Sequence, residues 1–244
     1  MKNPAPAHAD PWRAIWSKKV PSGDPGDLLA SLIQADGFDS GFSAYTPAEW
    51  LLMVEDAADR TGVTDRCRVL EIGCGAGAFL HALHHLRGCT ISGVDYSPSL
   101  LAAARRHLPQ GEFACAEAID MPFGSSTFDQ VFSHGVFFYF PDHDYVESAL
   151  REAHSKLKPG GHLCLMDLND QRHAGAYLAE RRKMFSTPEE YALKYAGLPH
   201  LFFDHLDLTA TLEQAGFHSV TFFRHRVEAY GPARFRFNLT AVKN

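Results

Sequence analysis

The sequence lacks paired cysteines. Its five, Cys67, Cys74, Cys89, Cys115 and Cys164, stand singly, which leaves no C-x-x-C zinc site and no disulfide framework to read. Positive charge is scarce as well: the formal net charge is -6, and the one basic cluster, Arg13 with Lys18 and Lys19, is too short to track a phosphate backbone. No nucleic-acid partner is expected. Long apolar runs are missing too. "VFFYF" falls far below the roughly 20 residues that span a bilayer, and "MKNPAPAHADPW" has no apolar core of the signal-peptide kind. The expectation is a cytoplasmic protein without membrane insertion. There are 14 histidines, but "HALHH" has no companion acids at ligand spacing, so no metal site is expected.

What is present is an ordinary globular composition. With 244 residues, 45% hydrophobic and 21% charged, the chain suffices for one α/β domain. Residues up to about Gly26 are rich in Pro, Ala and charge, with one aromatic island. There Asp10 is placed to cap a short helix, Pro11 takes its first position, and Trp12 and Trp16 share a face. A second helix begins at "TPAE", a capping box from Thr46 to Glu49, and stops at Gly62.

From Arg66 the pattern alternates. Strands are expected over 66–72, 89–95, 112–118, 128–134 and 161–168, and helices over 78–86, 97–108 and 144–157. Such alternation predicts a parallel, doubly wound sheet. After Leu168 it breaks into polar and aromatic helical pieces. A helix over 207–216 and two strands around Gly231-Pro232 follow, read as an antiparallel hairpin with a tight turn. The expected division is a helical arm, 1–62, and an α/β domain, 63–244, whose insert at 169–207 serves as a substrate lid.

The chemistry concentrates in "VLEIGCGAGAFL". Gly73, Gly75 and Ala78 fit a dinucleotide fingerprint, so the glycines alone do not choose a ligand. Glu71 does. A buried carboxylate just before the turn repels a pyrophosphate by several kcal/mol at a spacing of about 4 Å. It attracts S-adenosylmethionine, which brings an ammonium and a sulfonium and no phosphate. The competing role for Glu71 is an ion pair with Arg66 or Arg68. Asp95 ends the second strand and is placed to accept ribose hydroxyls. Glu117 and Ala118, after the third strand, are placed to read adenine.

Four stretches in order, "VLEIGCGAG", "GVDYSPSLL", "AEAIDMPFGSSTFD" and "LKPGG", make residues 66–168 resemble a class I S-adenosylmethionine-dependent methyltransferase of the group that includes quinone-biosynthesis methyltransferases. The resemblance implies strand order 3-2-1-4-5-7-6 with strand 7 antiparallel. It assigns Glu71, Gly73 and Gly75 to the methionine end, Asp95 to the ribose and Glu117 to adenine. Tyr96 covers the adenine face, and the backbone carbonyl of His134 holds the amino group. Glu117 departs from the commoner Asp, which lengthens the adenine contact.

The acceptor is expected beyond strands four and five. His134, Asp167 and Asp170 are the candidate catalytic groups, His134 first because an imidazole titrates near neutrality. Trp12, Trp16, Tyr45, Phe138, Tyr139, His200 and Phe202 are the candidate substrate contacts. That aromatic content suits a small planar acceptor methylated at nitrogen or oxygen. Some members of the broad group methylate azapteridine toxins. The products are S-adenosylhomocysteine and a methylated small molecule, and the enzyme is expected to be a monomer or homodimer. Two other readings stay open: an NAD-type oxidoreductase, which must explain Glu71 and Glu117 away, and a non-catalytic S-adenosylmethionine-binding module.

Overall fold

The computed structural model describes residues 12–16 and 27–244. Asp10, Pro11, Lys18 and Lys19 lie outside them. Among the described residues, α1 (Arg13–Trp16), α2 (Leu28–Ala35) and α3 (Pro47–Thr61) precede the sheet. The Thr46–Glu49 capping box forms in full, and Gly62 ends α3 at φ 66°, a left-handed conformation that glycine adopts without a Cβ penalty.

The alternation then proceeds as β1 (Arg68–Ile72), α4 (Ala78–Arg87), β2 (Thr90–Asp95), α5 (Pro98–His107), β3 (Glu112–Cys115), β4 (Phe128–His134), α6 (His143–Lys156) and β5 (Leu157–Asn169). Two helices form the insert, α7 (Ala174–Arg182) and α8 (Pro188–Tyr195), and α9 (His205–Gln214), β6 (Phe217–Phe223) and β7 (Arg236–Lys243) close the chain. The sheet order is β3-β2-β1-β4-β5-β7-β6. β1 to β5 are parallel, and β7 runs antiparallel to both β5 and β6. Order reverses between β1 and β4, so their carboxyl ends open a crevice there.

Side chains alternate across β1, as a strand requires. Val69 joins a cluster with Trp50, Val54 and Phe79, while Leu70 and Ile72 join the opposite layer with Val146 and Leu150. Glu71 therefore faces the α4 side. The same cluster holds Leu32 and Ile33 of α2, so one core runs across the expected boundary at 62/63.

Two expectations are corrected. β3 stops at Cys115, which frees Glu117 and Ala118 to lie in a turn. The last two strands are not joined by a tight turn: β6 ends at Phe223, and residues 224–235 cross back through a 3-10 turn over Gly231–Phe235. Burial draws this connection inward. His225 and Tyr230 are buried, and the Tyr230 ring stacks on Tyr45 at 4.1 Å. Among the described residues no helix is long and apolar enough to cross a membrane.

Candidate active site

The turn after β1 is built from backbone. Gly73 and Cys74 donate N–H to Val94 O at 2.7 and 3.0 Å, and Gly75 N donates to Asp95 Oδ2 at 2.9 Å. Gly73 and Gly75 have φ of 72° and 53°. A Cβ at Gly75 would run into Asp36 Oδ1, and one at Gly73 into Val136, so neither position has room for a side chain. Gly77, the N-cap of α4, offers no side chain to the amides that follow. Asp36, the C-cap of α2, supplies one instead: Oδ1 accepts from Ala76 N at 2.6 Å and Oδ2 from Ala78 N at 3.1 Å. The anion seat at this helix N-terminus is thus filled by the protein's own carboxylate.

Glu71 lies beside it, 3% exposed, with Oε2 buried and, among the described residues, without a hydrogen-bond partner. Neither expected arginine pairs with it, and the Arg68 backbone N–H serves Asp129. Burial, then the charges of Asp36 and Asp95, push the Glu71 carboxyl well above its usual range. A buried acid that lacks a partner is costly until a cation arrives. Three carboxylates and an occupied helix N-terminus repel a pyrophosphate and suit a cationic amino-acid end.

Asp95 is more committed than the sequence suggests. Oδ2 takes the Gly75 amide and Oδ1 takes Ser97 N at 2.8 Å, which braces the glycine turn against the start of α5. Each oxygen keeps a further lone pair for a ribose hydroxyl. Tyr96, Glu117 and Ala118 line the same cavity of about 470 Å3, within the range of small-molecule sites. Tyr145 donates its hydroxyl to Glu117 Oε2 at 3.0 Å.

His134 ends β4 at the cavity wall, 5% exposed. Its ring is boxed by Phe38 at 4.9 Å, Trp50 at 5.1 Å and Tyr45 at 6.2 Å, and among the described residues Nε2 has no hydrogen-bond partner. Burial pushes its pKa down to about 4, against the opposing pull of Asp167. Trp16, Phe138 and Tyr139 line the cavity with it. Trp12 stands behind them, its ring 4.6 Å from Tyr139 and its indole N–H donating to Pro199 O at 2.9 Å, which ties arm to insert. Tyr45 and His200 are likewise a second layer, the one against Tyr230, the other 4.8 Å from Phe138. Phe202 packs on Tyr177, away from the cavity.

The two candidate acids after β5 are placed differently from expectation. Asp167 is fully buried and held by Arg236, with Tyr230 OH donating at 2.8 Å and His225 Nε2 lying 3.3 Å from Oδ1 without a hydrogen bond. It occupies an irregular step in the β5–β7 ladder at φ 66°, and its own N–H goes to Asn238 Oδ1 at 2.7 Å. Burial raises its pKa, but the Arg236 guanidinium and the neighbouring imidazoles outweigh that and hold it below the usual range. An acid so paired is no free base. Asp170 bonds Arg172 and faces His205 in a separate depression with Arg224 and Arg234, so it is not brought to the main cavity.

The cavity lining includes Asp36, Phe38, Trp50, Tyr145 and Arg236, none of which was read as a site residue in the sequence. Arg236 is buried, bonds Asn169 Oδ1 at 3.0 Å and Tyr177 OH at 2.9 Å, and stacks on Phe138 at 4.5 Å. For Asp36 a signal existed. An acid at the carbonyl end of a helix opposes the macrodipole, and such a mismatch asks for a distant partner.

Residues 70–165 match the family described as Methyltransferase domain. Methyltransferase GfsG of Streptomyces halstedii is 31% identical over 122 residues, 48% of this chain and 43% of that protein. The chain spans less than half the length of the curated relatives it matches. Among solved structures, phosphoethanolamine N-methyltransferase 2 of Haemonchus contortus, in complex with phosphomonomethylethanolamine and S-adenosylhomocysteine, superposes with TM-score 0.61 at 16% identity, covering 88% of this chain and 57% of that one. The [4+2]-cyclase SpnF superposes with TM-score 0.61 at 18% identity over 88% and 92%. Sheet order, glycine turn and family match together define residues 70–165 as a class I S-adenosylmethionine-dependent methyltransferase domain.

Proposed function

We propose that the chain is an S-adenosylmethionine-dependent methyltransferase acting on a small, planar aromatic or heteroaromatic acceptor at nitrogen or oxygen. The observation that carries this reading is the unpartnered Glu71 carboxyl beside a helix N-terminus already filled by Asp36. An NAD-type oxidoreductase needs that N-terminus for pyrophosphate, so the same pair argues against it.

Glu71 and the glycine turn hold the amino-acid end, Asp95 the ribose, and Tyr96, Glu117 and Ala118 the adenine. The bound cofactor supplies an already activated methyl group, so the protein needs no covalent nucleophile. Its task is alignment and exclusion of water. Trp16, Phe38, Phe138 and Tyr139 perform both, presenting flat apolar faces to a flat acceptor. His134 is neutral at physiological pH, its pKa pushed down to about 4. It can take the proton of an N–H or O–H made strongly acidic by methylation, and is too weak a base to ionise an unactivated alcohol.

The arm, 1–62, and the insert, 169–207, act as a joint lid, for which the Trp12–Pro199 bond is the support. Azapteridine-type heterocycles are acceptors of the proposed class, with phenols and quinols as neighbours. We place the enzyme in the cytoplasm as a monomer or homodimer. A second reading, cofactor binding without methyl transfer, is favoured by the likeness to a cyclase. Incubation with S-adenosylmethionine and panels of planar heterocycles and phenols separates the two. Acceptor-dependent release of S-adenosylhomocysteine is expected; tight binding with no release from any member would favour the second.

A further inference from the structure

The roles above leave Asp36 without a part in the chemistry. Its position is locally unfavourable, a carboxylate where the carbonyl end of α2 favours a cation. The unusual placement is offset by two amides of another element, Ala76 and Ala78, at 2.6 and 3.1 Å. Those bonds fix both carboxylate oxygens against the glycine turn, and Gly75 lacks the Cβ that would displace them. The second observation is independent of the helix end. Glu71 lines the same cavity, 3% exposed, and among the described residues its buried Oε2 has no hydrogen-bond partner.

An ammonium has three N–H donors to share between two carboxylates, whereas a sulfonium has none and responds only to the field. We propose that Asp36 is a cofactor-site residue, which with Glu71 forms a two-carboxylate seat for the ammonium at the amino-acid end of S-adenosylmethionine. This rests on the methyltransferase reading. It makes the end of α2 part of the site, so that the segment before the sheet contributes to cofactor affinity as well as to lid formation.

The test is isothermal titration of wild type and Asp36→Asn with S-adenosylhomocysteine and with 5′-methylthioadenosine, which keeps the adenosine and sulfur but has no amino acid. Asn preserves an acceptor oxygen for the turn and removes the charge. S-adenosylhomocysteine affinity should fall about tenfold, the worth of one hydrogen bond to a charged group, while methylthioadenosine affinity stays within about twofold. An unchanged S-adenosylhomocysteine affinity overturns the proposal. So does an equal loss for both ligands, which marks Asp36 as a cap for α4 and nothing more. If Asp36→Asn does not fold, wild type is titrated with S-adenosylhomocysteine acetylated on its amine, and equal affinity for the blocked ligand overturns the proposal. If wild type binds neither adenosine ligand, the methyltransferase reading itself fails, and this inference with it.

Discussion

At the cofactor end of the cavity, a turn of backbone amides is surrounded by Asp36, Glu71 and Asp95, and one of these acids is buried with nothing to bond. At the acceptor end, the walls are rings from α1, the turn before α3, and the loop after β4, braced from behind by a buried ion pair, Asp167 and Arg236. One end is polar and built on backbone amides, with a buried carboxyl oxygen that no described residue bonds. The other is apolar, and its buried acid is ion-paired with Arg236. On the proposed reading, the difference separates two kinds of recognition: a buried carboxyl set against a cationic amino-acid end, and shape and flat surface set against the acceptor.

The comparison can be broken most forcefully at Arg236. Replacing it with Met strands the Asp167 carboxylate in the core, and stability should fall by about 3–5 kcal/mol, read as a lower melting temperature. A second change, Asp167→Asn, should restore part of the loss. Full stability in the single variant would mean that the pair does not brace the acceptor wall.

The two ends should also answer acid in opposite senses. His134 has a folded pKa of about 4 against 6.5 unfolded. Between those values the unfolded chain takes the proton first, so this contribution is complete above about pH 6.5 and is lost as the pH falls toward 4. It amounts to about 3 kcal/mol when complete. His200 and His225, lowered by burial, act in the same direction. Glu71 is raised by burial, so it takes a proton in the folded chain first and gains stability on acidification. Denaturation curves from pH 7 to 5 should therefore be flattened by His134→Gln and steepened by Glu71→Gln.

Smaller changes sharpen the cofactor end alone. Glu71→Gln keeps the shape and removes the charge, and should weaken S-adenosylmethionine about 30-fold by titration without loss of stability. Tyr145→Phe deletes one donor to Glu117 and should cost about 1 kcal/mol in S-adenosylhomocysteine affinity. A larger effect in Tyr145→Phe than in Glu71→Gln would place the discriminating contact at the adenine.

The cofactor end was legible in the sequence because its parts are local. Glu71, Gly73 and Gly75 fall within one turn, Asp95 closes the next strand, and period-2 and period-3.6 patterns order the sheet around them. The acceptor end was legible only as composition. Its aromatics come from segments far apart in the chain, and spacing cannot say which ring faces the cavity and which stands behind, as with Trp16 and Trp12. Asp167 and Asp170 illustrate the limit. Asp167 sits within an irregular step of β5 that turns it into the core, while Asp170, three residues on and just past the strand, lies in a different depression. Arg236 was hidden because an arginine on a last strand ordinarily points to water, and here the 224–235 connection covers it.

The most direct measurement is isothermal titration of the purified protein with S-adenosylmethionine, S-adenosylhomocysteine and NAD in parallel. Micromolar binding of the first two with no heat from NAD is the result predicted by an unpaired Glu71 beside an Asp36-filled helix end. Binding of NAD with silence from the other two would contradict it, and the turn after β1 would then be a phosphate cradle.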